Sequence, residues 1–306
     1  MKKEKIKTLI SFFIGIGVLL YIFKKIGWSN LSLITKVEPK CFIAASFFYI
    51  VTDILAAMML FTLMPKEVRS LGFPSIFLAH LAGMLYSNAT PGRVGYYYAA
   101  FSLARKAKVS KAGNIGLLTL FQGINFFVKA IATILAILYF SSLLIKDMLL
   151  GLVAIVVPIF FVFVILIFLY TNLPRRIIAE ISFLKPLSLY LERMQNACKN
   201  VEKSRILAAI FLSFLGWLTM ALQWYFIALS LGIKIDFLSV LMLQPLLTAI
   251  MFLPISPSGL GFTEGGSALL FKFLGFSLSE GVVFMILIRI NSLMIDSFGI
   301  LELCEK

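Results

Sequence analysis

Runs of about 20 apolar residues, each long enough to cross a ~30 Å hydrocarbon core as a helix, recur along nearly the whole chain. In hydrocarbon every backbone N–H and C=O must be satisfied inside the protein, so such a chain folds as a bundle of helices. Continuous apolar character with charged or turn-forming flanks predicts spans at 7–25, 41–64, 113–140, 148–170, 206–231 and 280–301. The chain is 61% hydrophobic and 14% charged over 306 residues, outside the balance of a soluble domain. No stretch is left for a soluble catalytic domain. A multi-pass protein of the cell membrane is expected. Its lysine-rich start is read as a retained first helix, because Tyr21-Ile22-Phe23-Lys24-Lys25 follows the first apolar run without a small-residue cleavage pattern.

A net charge of +14 invites a nucleic-acid reading, but the excess Lys and Arg sit in short loops beside apolar runs. A positive-inside bias accounts for them, and no nucleic-acid partner is expected. The N-terminus, the Arg93 to Lys111 segment and the Arg175 to Arg205 segment then lie on the cytoplasmic side, as do both termini. One loop runs against this orientation, since Lys24, Lys25, Lys36 and Lys40 would lie outside. Cys41, Cys198 and Cys304 have no CxxC spacing and His80 is the single histidine, so neither a disulfide framework nor a metal or other cofactor is indicated. Phosphate-loop, HExxH and GxSxG signatures are absent, so transport is favoured over catalysis. The segment 172–205 lacks a spanning run. It reads equally as an amphipathic connector at the bilayer surface or as a solvated linker with one helix.

Two apolar stretches are interrupted by similar motifs, Thr90-Pro91-Gly92-Arg93-Val94-Gly95 and Ser256-Pro257-Ser258-Gly259-Leu260-Gly261. A Pro-Gly break at membrane depth survives only where it is packed in protein or lines a polar cavity. Each interrupted region, 72–108 and 238–275, reads as a re-entrant hairpin of two helices meeting at the break. The fold expected is therefore all-α and integral to the membrane, with six spanning helices plus two broken re-entrant hairpins. Division near Asp147 leaves three crossings in each part, 1–147 and 148–306, and an odd number forces the second to be inverted relative to the first.

Polar residues in the last helix of each half sharpen the correspondence. Gln122, Asn125 and Lys129 share one helical stripe, and Arg289, Ser292 and Asp296 repeat its spacing. Gln122 lies 31 residues after Pro91 and Arg289 lies 32 after Pro257. Ionised groups inside a span cost about 2.5–3.5 kcal/mol even on insertion scales, so they pair or face a cavity. Glu264 is expected near Arg289, and Lys129 near Asp296. Arg93 at the first break either meets a phosphate together with helix N-terminal amides or snorkels to the interface. Ser258, Gly259 and Gly261 either contact a headgroup or form a kink for close helix packing. Asp53 and His80 read foremost as satisfied interior polar residues, with Asp53 also a candidate proton or cation site. Tyr96, Tyr97 and Tyr98 read as an interfacial aromatic cluster.

The Pro91-Gly92-Arg93-Val94-Gly95 stretch, with the basic loop and long helix after it, resembles the first signature of the lysylphosphatidylglycerol synthase transmembrane-region family. Leu253 through Gly265, with its prolines, glycines and Glu264, is similar to the second signature, and Phe273-Leu274-Gly275 to Arg289 resembles the family's next segment. The resemblance covers nearly the whole chain. It implies a flippase-like module translocating a lipid or lipid-linked headgroup. The breaks, polar stripes and intramembrane charges themselves make an anionic or phosphate-bearing substrate the expectation, with Pro91, Gly92, Arg93, Gly95, Gln122, Asn125, Lys129, Ser258, Gly259, Gly261, Glu264, Arg289 and Asp296 as the expected substrate-binding set. The first half departs from the family pattern: Tyr96 stands where a glutamate is frequent, Ala99 near an arginine position, Phe121-Gln122 in place of an acidic-basic pair, and Asn125 in place of an acid. Two alternatives stay open, a membrane enzyme modifying a lipid headgroup and a membrane anchor for a soluble glycosyl- or aminoacyltransferase partner.

Overall fold

The computed structural model describes residues 37–140, 148–180 and 185–304, together with Gly17, Leu20, Tyr21 and Lys24. The expected span 7–25 falls outside the described residues except at those four positions. Among the described residues the chain is helical and contains no strand. Helix α1, Pro39–Leu63, starts where Glu38 turns its carboxylate back onto the Cys41 amide at 2.7 Å, and Pro39 in its first turn has no amide to leave unsatisfied. Its 25 residues span about 37 Å. A single turn, α2 (Lys66–Arg69), leads to α3 (Phe73–Asn88), and α4 (Tyr98–Lys106) lies beyond the first break. Helix α5, Lys111–Tyr139, is capped by Ser110, which accepts from the Gly113 amide.

The second part comprises α6 (Met148–Tyr170), α7 (Leu173–Glu180), α8 (Lys185–Lys199), α9 (Lys203–Ser230), α10 (Phe237–Met251), α11 (Phe262–Phe273), α12 (Leu278–Asp296) and, after a tight turn, α13 (Ile300–Cys304). Among the described residues four helices are long and apolar enough to cross a membrane: Pro39–Leu63, Lys111–Tyr139, Lys203–Ser230 and the continuous run Leu278–Cys304. They coincide with four of the expected spans, and 148–170 also forms one helix. Large apolar side chains such as Ile43, Phe47, Phe163, Leu207 and Phe211 are exposed on the outside. In water that would be a liability; in lipid it is the ordinary outer surface.

Helices α1 and α9 form the most extensive helix pair and run antiparallel. The Glu38 amide at the start of α1 donates to the Ser230 carbonyl at the end of α9, and Thr52 donates to Thr219 at 2.8 Å midway. Buried apolar residues gather into two main clusters, one around Leu60, Leu63, Leu103 and Leu118, the other around Trp224, Leu243, Phe271 and Phe284. The first draws mainly on α1 to α5, the second mainly on α9 to α12.

The connector 172–205 is neither a free linker nor a single helix. It forms α7 and α8, and α8 lies directly on α5. At Gly116 a Cβ would sit 2.6 Å from the Met194 carbonyl oxygen, so contact at this closeness requires glycine.

Candidate functional site

Each break takes the same backbone form. After Pro91, Gly92 and Arg93 both adopt left-handed angles (φ 62° and 57°); after Pro257, Ser258 and Gly259 do likewise (φ 46° and 70°). A non-glycine residue held there carries strain of about 1–3 kcal/mol, tolerated where the surroundings over-determine it. The breaks also touch. Pro91 and Pro257 form an isolated antiparallel bridge, and the Ser258 amide donates to the Thr90 carbonyl at 3.4 Å. Two segments 166 positions apart in the chain thus meet tip to tip.

The amides at the breaks are already used. Thr90 Oγ1 accepts from the Gly95 amide at 2.8 Å, and the Tyr96 amide donates to the Arg93 carbonyl. At the second break Glu264 Oε2 accepts from the Gly261 amide at 2.7 Å, so the start of α11 is capped by its own carboxylate. The Gly95 and Gly261 amides are thereby taken up within the breaks themselves. Glu264 also binds Arg289, with Oε1 3.0 Å from Nε and 2.9 Å from Nη2, and Arg289 donates further to Thr263 Oγ1 and the Ser258 carbonyl. The expected Glu264–Arg289 pair is present. Its consequence is that Arg289 is charge-compensated and hydrogen-bonded.

The second expected pair does not form. Tyr49 donates to Asp296 Oδ1 at 3.0 Å and Asn88 to Oδ2 at 2.7 Å, so both oxygens of this fully buried carboxylate are satisfied from the first half of the chain. Lys129 instead points its ammonium over the Phe252 ring, 5.5 Å from the centroid. Arg93 approaches the same ring at 5.8 Å, donates to Ser87 Oγ at 3.3 Å, and lies 3.8 Å from Met84 Sδ. Its side chain is therefore held inside rather than snorkelling. Among the described residues neither cation has a carboxylate within ion-pair distance.

Two adjoining cavities meet at these cations. The larger, about 110 Å³, is lined by the polar side chains of Asp53, His80, Arg93, Tyr96, Gln122, Asn125 and Lys129 together with the rings of Phe121, Phe126 and Phe252. The smaller, about 60 Å³, shares Arg93 and Lys129 and adds Asn88, Ser258, Arg289 and Ser292. The expected stripe Gln122-Asn125-Lys129 does face the first break; Asn125 also accepts from Ser213 at 2.7 Å. Pro91, Gly92, Gly95, Gly259, Gly261, Glu264 and Asp296 stand outside the cavity walls and shape them from behind. At Gly95 a Cβ would fall 2.3 Å from the Tyr86 carbonyl oxygen.

Tyr96 is no interfacial residue. It is buried, and its hydroxyl lies 2.7 Å from His80 Nδ1, while His80 Nε2 lies 3.3 Å from Asp53 Oδ1. The expected site set omitted this hydrogen-bonded trio, and also Asn88, Tyr49 and Phe252. Asp53 and His80 carried a sequence signal as polar residues inside apolar runs; Phe252, one phenylalanine among 30, carried none. Among the described residues no group of three or more His, Cys, Asp or Glu side chains gathers to hold a metal ion.

Over residues 8–298 the chain matches the family described as Lysylphosphatidylglycerol synthase TM region. It is 29% identical over 217 residues to a UPF0104 membrane protein of Methanocaldococcus jannaschii, covering 68% of this chain and 88% of that protein. A UPF0104 membrane protein of Pyrococcus horikoshii is 34% identical over 107 residues, 34% of this chain and 32% of that one. No solved structure matches the chain.

Proposed function

This chain belongs to the lysylphosphatidylglycerol synthase transmembrane-region family, and from that premise we propose that it moves an anionic lipid or phosphate-bearing lipid-linked headgroup across the cell membrane. The observation that carries the reading is the pair of cations, Arg93 and Lys129, which share both cavities and lack carboxylate partners among the described residues. A charge partly withdrawn from water without a partner is costly. An incoming phosphate would supply the direct ion-pair contact that both cations lack, with Gln122, Asn125 and Ser258 as hydrogen-bonding neighbours. Arg289, already held by Glu264, would support the break rather than hold the headgroup.

In this reading the chain is an inverted repeat, 1–147 against 148–306, with hairpins 72–108 and 238–275 entering from opposite sides and both termini cytoplasmic. Three features support it: the shared left-handed geometry of the breaks, their contact at Pro91 and Pro257, and the antiparallel pairing of α1 with α9. The test is translocation of fluorescent phosphatidylglycerol in phosphatidylcholine vesicles, read as loss of inner-leaflet protection from dithionite. Faster loss with protein than without, slowed about tenfold or more in Arg93→Gln and in Lys129→Gln, is expected from removing a charge-assisted contact of about 1.5–3 kcal/mol. Equal rates with and without protein, repeated with phosphatidic acid and cardiolipin, would sink the reading.

A further inference from the structure

Beside the two cations, the larger cavity contains a second polar group that the proposed anion site does not use. Asp53 on α1, His80 on α3 and Tyr96 just past the first break join in one buried chain, at 3.3 Å and 2.7 Å, and all three face the cavity. The other carboxylate oxygen, Asp53 Oδ2, is buried without a hydrogen-bond partner among the described residues. We propose that this trio is a proton-binding site coupled to the anion position, so that one proton enters the cavity with each anion held by Arg93 and Lys129. The proposal rests on the reading of the cavity as an anion site.

The stereochemistry accommodates either protonation state. A neutral His80 donates through one ring nitrogen and accepts through the other, and the Tyr96 hydroxyl can serve as donor or acceptor. A charged imidazolium donates to Asp53 and to the tyrosine oxygen from the same position. The unpartnered Asp53 oxygen offers a further place for the proton, in the cavity that Arg93 also lines. No ring rotation is needed, so the proton comes and goes without disturbing the break.

The charges around the cavity supply the coupling. Arg93 from the break and Lys129 from α5 are positive; Asp53 from α1 is the acid in the wall, and Asp296 from α12 lies behind it, held by Tyr49 and Asn88, with Tyr49 and Tyr96 as neutral hydroxyls. Arg289 and Glu264 cancel each other, and Glu302, which also packs near α3, is engaged by Ser102 and Lys106. α9 and α10 bring no charged group to either wall; their polar side chains there include Ser213 and Gln244 in the larger cavity and Gln223 and Thr248 in the smaller. With His80 neutral and both acids ionised the set is balanced, and a monoanionic phosphate leaves one uncompensated negative charge. A proton on the Asp53–His80 pair restores the balance. By linkage, acidification must then tighten anion binding, and anion binding must draw in a proton.

The experiment is calorimetric titration of the purified full chain in detergent with dihexanoyl phosphatidylglycerol, in buffers of different ionisation heat between pH 5 and pH 8. The expected result is uptake of close to one proton per lipid, with affinity rising about tenfold per pH unit of acidification where the site titrates, the slope for one linked proton. His80→Gln and Asp53→Asn should flatten that slope while lipid still binds, and Tyr96→Phe, which keeps the ring, should displace the titration without abolishing it. Should Asp53→Asn fail to fold, the wild-type slope and His80→Gln still decide. Proton-neutral binding by the wild type overturns the proposal alone, as does an unchanged slope in His80→Gln. Absence of binding at every pH overturns the anion-site reading and this coupling with it.

Discussion

Glu264 joins two tasks in one carboxylate, capping α11 through the Gly261 amide and neutralising Arg289. Removing one partner of a buried pair leaves the other uncompensated, at a cost of about 3–5 kcal/mol. Glu264→Gln is therefore expected to lower the thermal unfolding midpoint in detergent sharply. Arg289→Gln should do so too, and the double variant should fall short of the sum by about 1–3 kcal/mol; simple additivity would contradict the pairing. Arg93→Gln should behave in the opposite way, losing translocation with little change in midpoint, because no carboxylate is orphaned. The Glu264–Arg289 pair was legible from its place after the second break, since two ionisable groups on consecutive apolar helices must find each other. Its counterpart was not. Equivalent positions in two halves have similar backbones but different neighbours, and Asp296 is claimed by Tyr49 and Asn88 before Lys129 can reach it.

Helices were the most readable level, because span length and apolar continuity are fixed by the bilayer and appear directly in the residue order. Five of the expected stretches emerge as helices, α1, α5, α6, α9 and α12 to α13, with small shifts at the ends, four of them long and apolar enough among the described residues to cross a membrane, and both interrupted regions break at their prolines. The docking of α8 was not legible. It depends on Gly116 lying under Met194, a contact between segments that share no pattern. Gly116→Leu is expected to pry α8 from α5, at about 1–3 kcal/mol of overpacking strain. Faster cleavage of the 172–205 segment by added protease is the measurement, and wild-type protection in the variant would show that α8 is held by other contacts.

For the whole molecule the decisive contact is the bridge between Pro91 and Pro257. Facing residues of antiparallel segments have Cα atoms about 4.5–5.5 Å apart, within reach of a disulfide. Thr90→Cys with Ser258→Cys, on a background lacking Cys41, Cys198 and Cys304, is thus expected to oxidise to a cross-linked monomer. If the halves rock about this contact, the oxidised protein keeps the translocation rate of the reduced one. Arrest on oxidation, reversed by reductant, would show instead that the tips part in each cycle. A pivot of this kind has a further consequence for the barrier to ions and water. In the proposed inverted repeat, two hairpins sharing one fulcrum would swing as the arms of a single beam, so that opening the approach on one side would draw the other shut. The same few backbone atoms that join the halves would then act as an interlock, keeping a passage for large polar headgroups from ever standing open as a hole.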